Sequence, residues 1–259
     1  MIEAVGIVVP AHDEQDLLPA CLASLRRAEA VLRGAPVHLI VVADACRDRT
    51  AQAARRAGAA VVTISARCVG TARAAGAREV LRRTRHLDPA SVWLANTDAD
   101  TTVPPGWLGR QARYANTGWD AVAGTIRVSD WSGYRAETRS LFHERYGHAD
   151  SAAAGEHAHV HGANLGCRAS AYLAAGGFPH TPTAEDHALV AALAATGSRV
   201  LHTTELTVVT SARRQSRAPG GFSGYLAGLD AEEGAFGRRR PGSSAVHVPH
   251  QLPGAGEGT

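Results

Sequence analysis

The sequence predicts an α/β fold, a mostly parallel central sheet with helices on both faces, and three observations carry that prediction. Apolar runs alternate with helical patterns through the first half of the chain in the order βαβαβαβ, the order of a parallel sheet built by helical crossovers. Thirteen of the 259 residues are aromatic and 51 are alanine, so close packing of small aliphatic side chains between helix and sheet must supply much of the burial. A chain of this length with 45% apolar residues and a mean hydropathy of −0.13 can bury one full-sized core or two small ones. A peptide, a collagen and a disordered tail are excluded.

Each element follows from its pattern. Val5 to Val9 reads as a strand; Leu17, Leu18, Cys21, Leu22, Leu25, Ala28 and Leu32 then recur at helical spacing, with Asp13 as a candidate N-cap. Val37 to Val42 is the second strand, Ala51 to Ala57 a small-residue helix, and Val61 to Ile64 the third strand. Thr71 to Arg83 is the third helix and Val92 to Leu94 the fourth strand. After Pro104 and Pro105 the rhythm changes. A helix over Trp107 to Tyr114 leads to a strand at Ala121 to Val128, a helix over Tyr134 to Gly147 and a strand at Asn164 to Arg168. A helix from Glu185 through Leu189 and Leu193 precedes two short strands, Val200 to Leu201 and Leu206 to Val209; Phe222, Tyr225, Leu226, Leu229 and Phe236 then keep helical spacing. Residues 1–236 are expected to form one domain and the Pro/Gly-rich residues 237–259 a flexible tail.

Composition narrows the function. All 27 basic side chains are arginine, yet the net charge is only +3, too small to argue for nucleic acid or a membrane surface. No apolar stretch approaches the roughly 20 residues that cross a bilayer. The N-terminus lacks a basic segment and a cleavage site, so the expectation is a soluble cytoplasmic protein. Cys21, Cys46, Cys68 and Cys167 show no CxxC spacing and are expected as reduced thiols. GxGxxG and GxxxxGK[ST] are both absent, so hydride transfer and P-loop chemistry lack their phosphate cradles. Oligomeric state leaves no signal.

The chemistry concentrates where strands end. Asp98-Ala99-Asp100 follows the strand SVWLA, and two carboxylates two residues apart on such a turn can place oxygens on one Mg²⁺ or Mn²⁺. The same triplet also serves as a capping turn. Pro10-Ala11-His12-Asp13-Glu14 ends the first strand and Asp44-Ala45-Cys46-Arg47-Asp48 the second, bringing more acids to the same sheet edge. Asp13 and Asp48 can equally be N-caps. Gly70 and Arg73 open the third helix, suited to a ribose or diphosphate, while Gly76 serves helix–sheet packing equally well. Arg213-Arg214-Gln215-Ser216-Arg217 is a candidate lid or a solvated basic loop. His157, His159 and His161 would share one face of an extended segment and could hold Zn²⁺, although 13 histidines make chance clusters common.

Together these segments resemble the nucleotide-sugar-dependent glycosyltransferases of family 2, which have the GT-A fold. The residues involved are VVPAHDE, VVADACRDRT, GTARAAG, LANTDADT, HGANLGCRASAYLAAGGF and TAEDHAL, in the family's order. The resemblance implies a donor half in residues 1–104 and an acceptor half in 105–236. Pro10, Ala11, Glu14, Asp44, Gly70, Arg73 and Asp98 would line the donor site with Arg213 and Arg214, and Asp98 and Asp100 would hold the divalent cation. His161, Gly162 and Asn164 would face a hydroxyl acceptor, and Asp186, beside Glu185, would be the general base of an inverting transfer. Ala43 stands where many relatives have an aspartate, which leaves the base of the nucleotide open, and no QxxRW follows Glu185-Asp186, which argues against a processive synthase. A sugar nucleotidyltransferase and a non-catalytic nucleotide-sugar-binding module are the alternatives.

Overall fold

The computed structural model describes residues 1–149, 159–213 and 222–237. Strands β1 (Ala4–Ala11), β2 (Val37–Asp44), β3 (Ala60–Ile64) and β4 (Val92–Asn96) alternate with helices α1 (Leu18–Val31), α2 (Thr50–Arg56) and α3 (Val69–Arg83). Next come β5 (Thr101–Thr102), α4 (Trp107–Asn116), β6 (Ala121–Val128), α5 (Ala136–Ala149), β7 (Leu165–Arg168), α6 (Ala169–Ala174), α7 (Glu185–Ala195), β8 (Val200–Thr210) and α8 (Phe222–Gly237). All eight strands join one sheet in the order β3-β2-β1-β4-β7-β6-β8-β5. The first four are parallel; β7 and β5 run antiparallel to their neighbours.

Alternation within β1 shows why the central strands are apolar throughout. Val5, Ile7 and Val9 join α1 and α4 in one core, whereas Ala4 and Val8 join α3, α6 and α7 in another. Both faces are thus covered. Leu18, Cys21, Leu22, Leu25 and Ala28 form the inward stripe of α1. Helix α3 approaches the sheet closely because it carries Gly76, where a Cβ would lie 2.4 Å from Val8 Cγ1. A third, aromatic-rich cluster joins α5 to α8 through Phe142, Leu226 and Leu229.

Two expectations are corrected. Asp13 does not cap α1: the chain turns at Asp13 with φ +52°, and its carboxylate accepts from the backbone N–H of Arg47 at 2.6 Å and Asp48 at 3.3 Å instead. Val200 to Leu201 and Leu206 to Val209 belong to one strand, β8, whose register against β6 shifts between Gly124 and Thr125. The two-residue strand β5 and the short helix α6 carry too little periodicity to be read from sequence. Of the expected tail, residues 237–259, Gly237 is the last residue of α8 and residues 238–259 lie outside the described residues. All four cysteines are free, and among the described residues no helix is long and apolar enough to cross a membrane.

Candidate active site

The carboxyl ends of β1, β2, β3 and β4 open into a cavity of about 870 Å³, closed on the far side by the start of α7, the end of β8 and the start of α8. Its volume suits a small-molecule ligand. Three strands reach its edge through residues in the left-handed region: Asp13 after β1, Ala45 after β2 and Arg67 after β3. Ala184, just before α7, has φ +57°. Such strain in non-glycine residues persists where surrounding contacts impose it, and it clusters at functional sites.

Those contacts are polar. Asp44, buried, accepts from the backbone N–H of Ala66 at 2.7 Å, Arg67 at 2.9 Å and Cys68 at 2.9 Å, fixing the β3–α3 turn. Three bonds leave its two oxygens about one further acceptor position for a ligand. Asp48 accepts from Thr50 N and from Gln15 N, both at 2.9 Å, lacing the loops after β1 and β2 together. Asp13, Cys46 and Asp48 converge closely enough to suggest a metal group, and they also tie the two turns together: Asp13 N donates to Cys46 Sγ at 3.4 Å and that thiol donates to Ala11 O at 3.3 Å.

The centre of the site is Arg73, 2% exposed, which reaches from α3 between two acids. Its Nε donates to Glu185 Oε1 at 3.0 Å and its Nη2 to Asp98 Oδ1 at 2.6 Å, while Phe178 lies 5.9 Å from the guanidinium. Burial pushes Glu185 up from the usual carboxylate range, opposed by Arg73. Asp186 Oδ2 accepts from Gly162 N at 2.7 Å and Oδ1 from His187 N at 2.8 Å. Each oxygen keeps one lone pair.

At the other end, burial and the neighbouring Asp98 charge push Asp100 up to about 7. Arg213 answers that charge, with Nη2 3.2 Å from Asp100 Oδ2 and Nη1 2.5 Å from Glu14 Oε1. It is delivered there by β5, where Thr101 pairs with Thr210 and the two hydroxyls meet at 3.1 Å. Among the described residues, six carboxylates line the cavity (Glu14, Asp44, Asp98, Asp100, Glu185, Asp186) against three arginines, Arg67, Arg73 and Arg213. Such an excess of hard oxygen donors suits a divalent cation at Asp98 and Asp100.

Most of the residues singled out by sequence meet here. Pro10, Ala11, Glu14, Asp44, Arg73 and Asp98 line the cavity, as do Asp100, His161, Glu185, Asp186 and Arg213. Three do not. Gly70 packs against the backbone of the Pro179–Thr181 segment, where a Cβ would lie 2.1 Å from Pro179 O. Gly162 supplies its N–H to Asp186 from below the surface. Asn164 does not line the cavity: fully buried, its Nδ2 donates to Thr125 O at 2.8 Å and Leu206 O at 2.7 Å, and its Oδ1 accepts from Trp107 Nε1 at 2.9 Å. Arg214 and His157 lie outside the described residues. His159 Nε2 and His161 Nε2 bond to Tyr146, at 3.1 and 3.0 Å, in a stack in which the His159 and Tyr146 rings lie 3.9 Å apart. Sequence reasoning missed the aromatic wall of Tyr146, Phe222 and Tyr225, whose helical spacing reads as ordinary core, and it missed Arg67.

No curated protein matches the chain significantly by sequence. Solved structures match in fold. A mannosyltransferase from Pyrobaculum calidifontis, in complex with GDP-Man and Mn²⁺, superposes with a TM-score of 0.58 at 19% identity over 84% of this chain and 59% of its own. TarS 1-349 from S. aureus, in complex with UDP-GlcNAc, gives 0.58 at 13% over 89% of this chain and 66% of its own. Glucosyl-3-phosphoglycerate synthase from Mycobacterium tuberculosis, in complex with Mn²⁺, UDP and phosphoglyceric acid, gives 0.53 at 15% over 97% and 84%. The chain thus spans about three fifths of the mannosyltransferase's length, and the shared fold is GT-A. The model of the family described as "Glycosyl transferase family 2" matches residues 6–173, well over half of the sequence and all of β1 to β4 except the first residues of β1, and the chain belongs to that family.

Proposed function

We propose that this chain transfers a sugar from a nucleoside diphosphate donor to a hydroxyl acceptor, with inversion, using a divalent cation held by Asp98 and Asp100. The observation that carries this reading is Arg73, a buried guanidinium bonded at once to Asp98 and to Glu185. It ties the acids suited to a cation to the helix start suited to a base. The solved neighbours in complex with GDP-Man or UDP-GlcNAc, and with Mn²⁺, support the donor class and the cation.

Loss of a nucleoside diphosphate builds negative charge on the leaving phosphate, and a bound divalent cation supplies the positive charge that stabilises it. The protein's own residues do the rest. Arg213, on the wall of the same cavity, would add its guanidinium to those phosphates. Asp186, held by Gly162 N–H, takes the acceptor's hydroxyl proton as the oxygen bonds to the anomeric carbon and the bond to the diphosphate breaks. Tyr146, Phe222 and Tyr225 add an aromatic wall against which an acceptor can pack.

Release of nucleoside diphosphate from a panel of UDP-, GDP- and dTDP-sugars with Mn²⁺ tests the reading. Release by the wild type and its loss in Asp100→Asn is expected. Binding of a nucleotide sugar without any release or transfer would make the chain a binding module instead.

A further inference from the structure

We propose that Arg213 is a displaceable counter-ion for Glu14 and Asp100, so that divalent cation and nucleoside diphosphate bind this site cooperatively and each alone binds weakly. The inference rests on the proposed reading of the cavity and adds the order of events within it. Glu14, Asp98 and Asp100 converge on one end of the cavity, and each pairs with one of two guanidiniums, Arg73 or Arg213. The two are not alike. Arg73 is 2% exposed, locked between Asp98 and Glu185. Arg213 is 24% exposed, three residues beyond the end of β8, and its charged contacts are the two acids it bridges.

A cation that takes Asp100 must compete with this guanidinium for the same carboxylate, because Arg213 Nη2 lies 3.2 Å from Asp100 Oδ2 and would face the incoming like charge at contact distance. A diphosphate is an anion that can take the guanidinium instead. Guanidinium binds phosphate oxygens in the same two-pronged manner as carboxylates. A diphosphate entering the cavity therefore draws Arg213 off the acids and leaves Asp100 open to the cation; a cation already on Asp100 releases Arg213 towards the phosphates. Such coupling is reciprocal by thermodynamic necessity.

The experiment is a binding cycle by calorimetry, with Mn²⁺ titrated into the full chain as wild type, Arg213→Gln and Arg213→Lys, each alone and with saturating UDP or GDP. Far-UV circular dichroism first establishes that each variant is folded. In the wild type, nucleotide should tighten Mn²⁺ about tenfold or more. In Arg213→Gln, Mn²⁺ alone should bind about three- to tenfold tighter and the nucleotide-dependent gain should shrink at least threefold, while Arg213→Lys should keep most of it. Mere through-space repulsion would tighten Mn²⁺ equally with and without nucleotide. An unchanged gain, or Mn²⁺ alone no tighter, therefore overturns the proposal and leaves the site's reading standing. If the wild type binds neither Mn²⁺ nor either nucleotide, both fall.

Discussion

Asp100 and Asp186 are both carboxylates on the same cavity, and their surroundings separate their roles. Asp100 is buried beside Asp98 and pushed up to about 7, so removing its charge relieves repulsion in the empty site. Asp100→Asn should therefore melt no lower than wild type in EDTA yet lose cation-dependent donor binding and about two orders of magnitude or more in transfer. Wild-type turnover in this variant, or full turnover in EDTA, would remove the cation from the mechanism. Asp186 accepts from two N–H groups, Gly162 and His187, and an asparagine can accept from only one. Asp186→Asn should melt slightly lower, keep nucleotide-sugar binding with Mn²⁺, and transfer roughly 10² to 10⁴ more slowly. Retained transfer would leave Asp186 as an N-terminal acid of α7 and nothing more. Both residues were legible in the sequence because their types and places at strand and helix ends are local. Arg73's bond to Glu185 was not, since it closes 112 residues of chain.

Among elements, β8 shows what periodicity can and cannot read. Its apolar ends stand out as two short strands, but the interruption is a register shift against β6, invisible without the partner strand. Asn164 fills that irregularity by bonding Thr125 O on β6 and Leu206 O on β8 while receiving Trp107 Nε1 from α4. Its place in HGANLG suggests an acceptor ligand; its three buried bonds suggest a bracket between β6, β8 and α4. Asn164→Ala strands an indole N–H and two carbonyls, and should cost about 2–4 kcal/mol in urea unfolding. An acceptor-ligand role predicts the reverse pattern, a raised acceptor KM with unchanged unfolding midpoint. Strand β5, two residues long, has no sequence signature, yet its pairing with Thr210 is what brings Arg213 to Asp100.

For the whole molecule, the cavity joins parts of the chain that are far apart in sequence. Its walls come from β1 to β4 and α3 at one end of the sequence and from α7, β8 and α8 at the other, so ligand bound there must engage both. The alternation of strands and helices made the first wall readable; the second depends on antiparallel β7 and on the reach of β8, which follow from tertiary pairing. A ligand that binds only the folded state stabilises it by RT ln(1 + [L]/Kd), about 2.7 kcal/mol at one hundred times Kd. For a chain of this size that corresponds to a Tm rise of about 5–10 °C. The proposed donor with Mn²⁺ should give such a rise, and it should disappear in EDTA and in Asp100→Asn but survive in Asp186→Asn. Nucleotide alone should give a much smaller rise, because among the described residues six carboxylates and three arginines line the cavity, and a diphosphate without its cation faces that excess of negative charge. A rise from nucleotide sugar that is indifferent to Mn²⁺, to EDTA and to Asp100→Asn would place the diphosphate on arginines alone and take the cation out of donor binding.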